Sequence, residues 1–258
     1  MMAAQQHSAC LIGHAERSLM PDRKDAHRLH DLFQLPQGRT LDICLKIHGA
    51  ILEHRLAPGT KLSEDEVGEI YGASRTVVRA ALQALAHTGL VAIEKNRGAF
   101  VAKPSIREAH EIFEARALIE PRVARMAAKA VTGKDLARLQ AHIDAEHQAL
   151  HAGDMGKALF LSGAFHTTIA DIADQQVLAR MVRSLISRSS LIIAMYWKRP
   201  DTACESHSHH ALMKAFAEHD SDAAEEIQKS HLIDLHSGLN LVEVRQQNDS
   251  LKDILRAG

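Results

Sequence analysis

Arg75 and Arg79 stand four residues apart in the run Ser74-Arg75-Thr76-Val77-Val78-Arg79. On a helix that spacing sets two guanidinium groups side by side, with the hydroxyls of Ser74 and Thr76 next to them. The fork of an arginine suits a two-point hydrogen bond to guanine or a charge-assisted bond to phosphate. A solvated helix face could carry the same four residues, so the surrounding chain has to decide.

Leu62 to Val101 supplies that context. The spacing predicts a short helix, a tight turn at Tyr71-Gly72, a second helix opened by Ser74, and a two-stranded hairpin with Gly98 near its tip. That order describes a winged helix-turn-helix, whose second helix lies in the DNA major groove. Upstream, Leu41, Cys44, Leu45, Ile47, His48, Ile51 and Leu52 recur at helical spacing before the turn at Pro58-Gly59. Ser63 with Glu66 has the pattern of a capping box, and Ser74 sits where an N-cap is needed. Val77, Val78, Ala81, Leu82 and Leu85 form the inner stripe of the second helix, leaving Arg75, Thr76 and Arg79 outside. Leu90–Ile93 and Ala99–Val101 are β-prone runs around a basic tip, Glu94-Lys95-Asn96-Arg97-Gly98.

Lys103-Pro104-Ser105 breaks the pattern, and the rest reads as helices over 105–119, 121–131, 133–151, 154–172, 175–198, 203–218 and 220–246. Pro121 favours a kink or fresh start after Glu120. The expected fold is mainly α: a partly ordered arm over 1–38, a winged helix over 39–103, an antiparallel helical bundle over 104–246, and a tail over 247–258. A composition of 46% hydrophobic but 3% aromatic residues agrees with a helical protein.

A formal net charge of −1 means that any affinity for DNA must come from a local patch. Between Ala73 and Pro104, Arg75, Arg79, Lys95, Arg97 and Lys103 face Glu94 alone, while Glu64, Asp65, Glu66 and Glu69 put the opposite sign just upstream. Cys10, Cys44 and Cys204 are widely separated, without a CxxC pair, and no apolar run approaches transmembrane length. A cytoplasmic protein that does not enter the membrane is expected.

With eighteen histidines in the chain, only their placement carries information. His166 lies on the stripe Leu159, Ser162, His166, Ile169; His209 precedes Leu212, Met213 and Phe216; His231 lies with Ala224, Ile227 and Leu235. Three imidazoles facing inward from different helices could converge on one divalent metal, zinc first, with nickel or manganese as alternatives. The plain alternative is three separate core histidines. His207 and His210 are substitutes for His209 if the helix starts differently, and surface histidines otherwise. Arg116, with Ile112, Ile119 and Val123 on its face, is expected to point inward and to need a carboxylate. Glu120 is the structural candidate. Arg183, Arg188, Tyr196 and Trp197 are further candidates for lining a pocket.

Residues 41–102 resemble the winged helix of the GntR family of bacterial transcription regulators. The matching residues are Pro58-Gly59, Leu62-Ser63-Glu64, Gly72-x-Ser74-Arg75-Thr76-x-Val78-Arg79-x-Ala81-Leu82, Gly89-Leu90-Val91 and Arg97-Gly98-Ala99-Phe100-Val101. The resemblance implies that Ser74, Arg75, Thr76 and Arg79 contact operator DNA and that Gly98, with Arg97, enters the minor groove. Asp65 departs from it, standing where many members carry an arginine that reaches DNA, and Val77 replaces the common proline or threonine. Residues 106–240 are similar to the FCD ligand-binding domain of the FadR subgroup, through Glu114-x-Arg116-x-x-x-Glu120-Pro121, Phe165-His166, His209-x-x-Leu212 and His231-Leu232. In metal-binding members the ligands are an Asp and three histidines. The histidines match His166, His209 and His231, whereas the Asp position is Ser162, which lowers the expected affinity unless water or an acidic effector completes the shell.

These features together predict a homodimeric regulator of palindromic double-stranded operators, sensing a small carboxylate effector at Arg116 and Ser162 beside the metal. An acyl-CoA-type or metal-independent effector is the first alternative. A metal-dependent enzyme using the three histidines is a remote one, because no HExxH motif or neighbouring general base accompanies them.

Overall fold

A computed structural model describes Phe33, residues 35–198 and residues 204–242. Most of the expected arm and all of the expected tail lie outside the described residues. The winged-helix part contains α1 (Arg39–Leu52), β1 (Lys61–Leu62), α2 (Glu64–Tyr71), α3 (Arg75–His87), β2 (Val91–Glu94) and β3 (Gly98–Val101). Ile43, Cys44, Ile47 and Ile51 of α1 pack with Val78, Ala81, Leu82 and Leu85 of α3 and with Leu90 and Val101 of the wing. Between α2 and α3 the chain turns at Gly72, whose φ of 57° is left-handed. Arg39 donates to the Tyr71 carbonyl at 2.6 Å across that turn.

The wing has three strands, where a hairpin of two was expected. The antiparallel order is β1-β3-β2, with Leu62 opposite Ala99 and Glu94 opposite Gly98. β1 is two residues long, too short for any periodicity to announce it. Ser63 has the extended backbone of an N-cap, yet neither its hydroxyl nor that of Ser74 makes a side-chain cap. The start of α2 is fixed instead by β1, which ends one residue earlier. Capping boxes do form at Ser105 with Glu108 and at Thr132 with Asp135.

The second part is a bundle of α4 (Ile106–Ala130), α5 (Gly133–His151), α6 (Met155–Ile172), α7 (Gln176–Tyr196), α8 (Cys204–Ala217) and α9 (Ser221–Ser237). Val123, Ala127, Leu139, Ile143, Phe165, Ile169, Leu212 and Phe216 form its core. Two boundaries differ from expectation. α4 runs through Pro121 without a fresh start, because Pro121 is buried between Arg116 and the alanine-rich stretch that packs on α9, and burial outweighs one missing backbone bond. α9 ends at Gly238, where Leu239 bridges to Trp197. No helix among the described residues is long and apolar enough to cross a membrane.

The two parts share an interface built on α7. Leu191 of α7, 1% exposed, sits in the core of the winged helix. Ser187 and Ser190 hydrogen-bond His48 and His54 at 3.3 and 3.0 Å. Gly156, at the start of α6, abuts the end of α1 so closely that a Cβ there would lie 2.2 Å from the Glu53 carbonyl oxygen. Alanine in place of a helical glycine ordinarily gains up to about 1 kcal/mol. Here the sign should reverse: Gly156→Ala is expected to lower the thermal unfolding midpoint, whereas Gly133→Ala, with nothing within 4 Å of the added Cβ, should not. Equal midpoints for the two variants would show that α6 and α1 are not in register as described.

Candidate functional site

α3 presents Ser74, Arg75, Thr76 and Arg79 to solvent on one face. Val77 is half-buried and packs against the core below them. The arginines are not loose. Arg75 is paired with Asp65, and Arg79 with Glu64, both acids standing in the first turn of α2. The bond from Arg79 also holds the Glu64 carboxyl below its ordinary range. At the wing, Gly98 has φ of +100°, a conformation open to glycine. Arg97 next to it is tied to Glu94 and lies over the Phe100 ring at 5.4 Å. The sequence placed Arg75 and Arg79 on one exposed face but did not reveal that each faces a carboxylate.

In the bundle, α6, α8 and α9 bring the three predicted histidines together. The Nε2 atom of His166 lies 3.1 Å from Nε2 of His231 and 3.2 Å from Nε2 of His209. All three side chains are buried, and they are a group whose donor atoms lie within 4.8 Å of one another. Tetrahedral zinc with Zn–N bonds near 2.0–2.1 Å needs donor nitrogens about 3.3 Å apart, so the residues fit such an ion. Glu146 accepts from His209 Nδ1 at 3.0 Å, which puts the ring proton on Nδ1 and turns the Nε2 lone pair towards the other two rings. His166 Nδ1 lies 3.4 Å from the Gln228 amide and 3.9 Å from Glu120. Burial first, then the neighbouring histidines and Arg116, depress the pKa of His166 well below 6.5; burial, His209 and Arg116 do the same for His231. Neutral imidazoles are the form that ligates metal.

Sequence reasoning missed Glu146 and Gln228. Glu146 falls three residues after Ile143 and seven after Leu139, and Gln228 four residues after Ala224, so both sit on buried stripes. A polar residue on an apolar stripe was the available signal. His207 and His210 are exposed, so neither replaces His209.

Arg116 is 3% exposed, and its partner is the structural candidate. It donates to Glu120 at 2.5 and 3.3 Å and to Ser189 at 3.0 Å. Glu120 also accepts from Gln228 at 2.9 Å. Arg116, Ser162, His166 and His231 all border a cavity of about 380 Å³. Arg183 borders it too, donating from Nη1 to Asp171 at 2.6 Å, while its buried Nε has no hydrogen-bond partner among the described residues. Of the other candidates, Arg188 packs over Gly89, Tyr196 donates to the Pro104 carbonyl, and Trp197 rests on Gly238; none lines the cavity. One wall is unexpected: Leu45, His48, Gly49 and Leu52 come from α1 of the winged helix, and Glu53 is its C-cap.

A winged helix joined to a helical domain that encloses a cavity is the architecture of a DNA-binding transcription regulator. Residues 40–101 match the profile described as bacterial regulatory proteins, gntR family, and residues 111–234 that of the FCD domain. The chain belongs to the GntR family of transcription regulators, with an FCD domain after the DNA-binding domain; the relatives it matches are regulators, not enzymes. It is 29% identical over 196 residues to the transcriptional repressor RspR of Escherichia coli, covering 75% of this chain and 84% of that one. The galactonate operon transcriptional repressor of the same organism is 24% identical over 220 residues, covering 73% and 91%. A GntR transcriptional regulator from Rhodococcus sp. RHA1 shares the fold, with a TM-score of 0.70 at 24% identity, over 78% of this chain and 97% of that one.

Burial of His48 between the two parts has a measurable consequence. It lowers the imidazole pKa from 6.5 to about 4. The unfolded chain therefore takes up a proton as pH falls through 6.5, while the folded chain does so only near 4. Stability from this group is full above pH 6.5 and declines by roughly 3 kcal/mol down to pH 4. In urea unfolding across that range, His48→Gln should show a shallower loss than the unsubstituted protein. Parallel curves would mean that His48 is solvated.

Proposed function

We propose that this regulator acts as a homodimer on palindromic operator DNA and responds to a small organic acid bound beside a divalent metal. His166, His209 and His231 would hold the ion, with zinc the first candidate; when bound it would supply a Lewis-acidic site for a carboxylate or hydroxyl. Ser74, Arg75, Thr76 and Arg79 read the operator, with Arg97 and Gly98 at the minor groove. In keeping with the FadR subgroup it resembles, the effector occupies the cavity near Arg116 and Ser162.

The observation that carries this reading is the shared cavity, bordered by two of the converging histidines on one side and by α1 of the winged helix on the other. A ligand there touches α1, which packs against the DNA-reading helix α3 through Val78, Ala81, Leu82 and Leu85, so its affinity depends on where the winged helix sits. The chemistry of the walls favours an acid. The donor set is three neutral nitrogens, because Ser162 brings no carboxylate and Glu146 stands behind a histidine, hydrogen-bonded to its Nδ1. A divalent cation held this way keeps its charge for an anionic ligand. Arg183 adds a buried donor in search of an acceptor. A relative named for the galactonate operon agrees with a sugar acid.

Elemental analysis of the protein as purified should find a divalent metal that is lost in His166→Ala. Glu146→Gln should weaken metal affinity about 10–100-fold in competition with a chelator. Hydroxy acids and sugar acids should raise the thermal midpoint of the metal-loaded protein. No metal, with stabilisation by acyl-CoA alone, would overturn the proposed pocket.

A further inference from the structure

Each arginine of the recognition helix is gripped from the side by a carboxylate of the helix before it. Asp65 accepts from Arg75 Nε at 2.6 Å and Nη2 at 2.9 Å. Glu64 accepts from Arg79 Nε at 2.8 Å and Nη2 at 2.7 Å. Both pairs use the Nε–Nη2 edge of the guanidinium and leave the Nη1–Nη2 end of the fork to donate elsewhere.

Stability does not account for these pairs. The side chains of Arg75 and Asp65 are 71% and 66% exposed, and an ion pair so open to water contributes little to folding. A two-point grip does something else: it holds a long side chain in one rotamer before DNA arrives, so less freedom is lost on binding. It also changes which DNA group suits the arginine. A phosphate approaching Arg75 or Arg79 meets a carboxylate beside the cation, and the like charges repel. The O6/N7 edge of guanine carries no net charge and matches the free end of the fork. Arg75 is also the first residue of α3, where the helix dipole disfavours a cation, and the Asp65 carboxylate offsets that.

We propose that Asp65 and Glu64 are positioning residues that aim Arg75 and Arg79 each at one guanine of the half-site and discourage both from gripping phosphate. This inference rests on the DNA-reading role of α3 and is independent of the metal and the effector.

The test is selection of a randomised double-stranded DNA library by the full-length protein, followed by fluorescence anisotropy on the enriched duplex and on random-sequence duplex across a salt series. The unsubstituted protein should enrich guanines in each half-site. Asp65→Asn should lower the preference for one of them about tenfold, and Glu64→Gln the preference for another. Both variants should bind random-sequence DNA more tightly and with a steeper salt dependence, as phosphate contacts become available to the released arginines. Arg75→Ala should erase the same preference that Asp65→Asn weakens. A profile unchanged by Asp65→Asn but altered by Arg75→Ala would overturn the positioning role and leave the DNA-reading role of α3 standing. A profile unchanged by both would remove that role as well. Equal losses on enriched and random DNA, with a lowered thermal midpoint, would show a structural role only and equally overturn the proposal.

Discussion

Three imidazoles, two carboxylates and a guanidinium in the middle of an apolar bundle form the constraint to which the rest of the helical domain answers. A polar group withdrawn from water without a partner costs several times what an ordinary hydrogen bond contributes, so each of these groups dictates what faces it. Glu146 of α5 holds His209 of α8. Arg116 of α4 binds Glu120 and, on α7, Ser189; Gln228 of α9 joins Glu120 and approaches His166 of α6. Every helix of the bundle contributes a member. Sliding one helix by a turn would strand a buried charge, which makes the network a stricter determinant of register than the alanine and leucine contacts around it.

α7 carries that constraint into the other domain. Within five residues it offers Ser187 to His48, Ser189 to Arg116, Ser190 to His54 and Leu191 to the winged-helix core. The helix therefore belongs to two cores at once, and the cavity lies along it between them. A group bound in that space meets α1 and α7 together. It can favour one arrangement of the winged helix only by touching it differently in each, and α1 residues such as His48 and Leu52 supply that contact directly, without a relay through distant side chains.

Much of this was legible in the sequence because it is periodic. The inward histidines shared stripes with Ile169, Leu212 and Leu235, and the recognition helix separated Arg75 and Arg79 cleanly from Val78 and Leu82. What the sequence concealed depends on contacts between distant segments. β1 exists only through its pairing with β3. Ser63 and Ser105 begin the same four-residue pattern, yet only Ser105 closes a capping box, since the chain before Ser63 is already held in a sheet. Pro121 looked like a helix end and is buried inside an unbroken helix. The contribution of α1 to the cavity had no local signal at all, as the apolar face of that helix reads equally well as packing within its own domain.

Charge placement at the two ends of the molecule follows opposite logic for one physical reason. At the DNA-reading face the cations are exposed, and an unaccompanied arginine there would bind any phosphate on any sequence. Carboxylates beside Arg75 and Arg79 temper that attraction and leave a geometric contact to do the discriminating. At the sensor end, neutral donors and Ser162 would leave a bound cation without an anion among the protein groups that touch it, so its charge would be balanced by the ligand. A near-neutral chain suits both conditions. With little long-range attraction to the duplex, affinity for an operator has to come from short-range contacts, on the proposed reading those of α3 and the wing, and in the proposed dimer these would depend on the spacing of the two winged helices. That spacing is the quantity the proposed ligand, packed against α1, would alter.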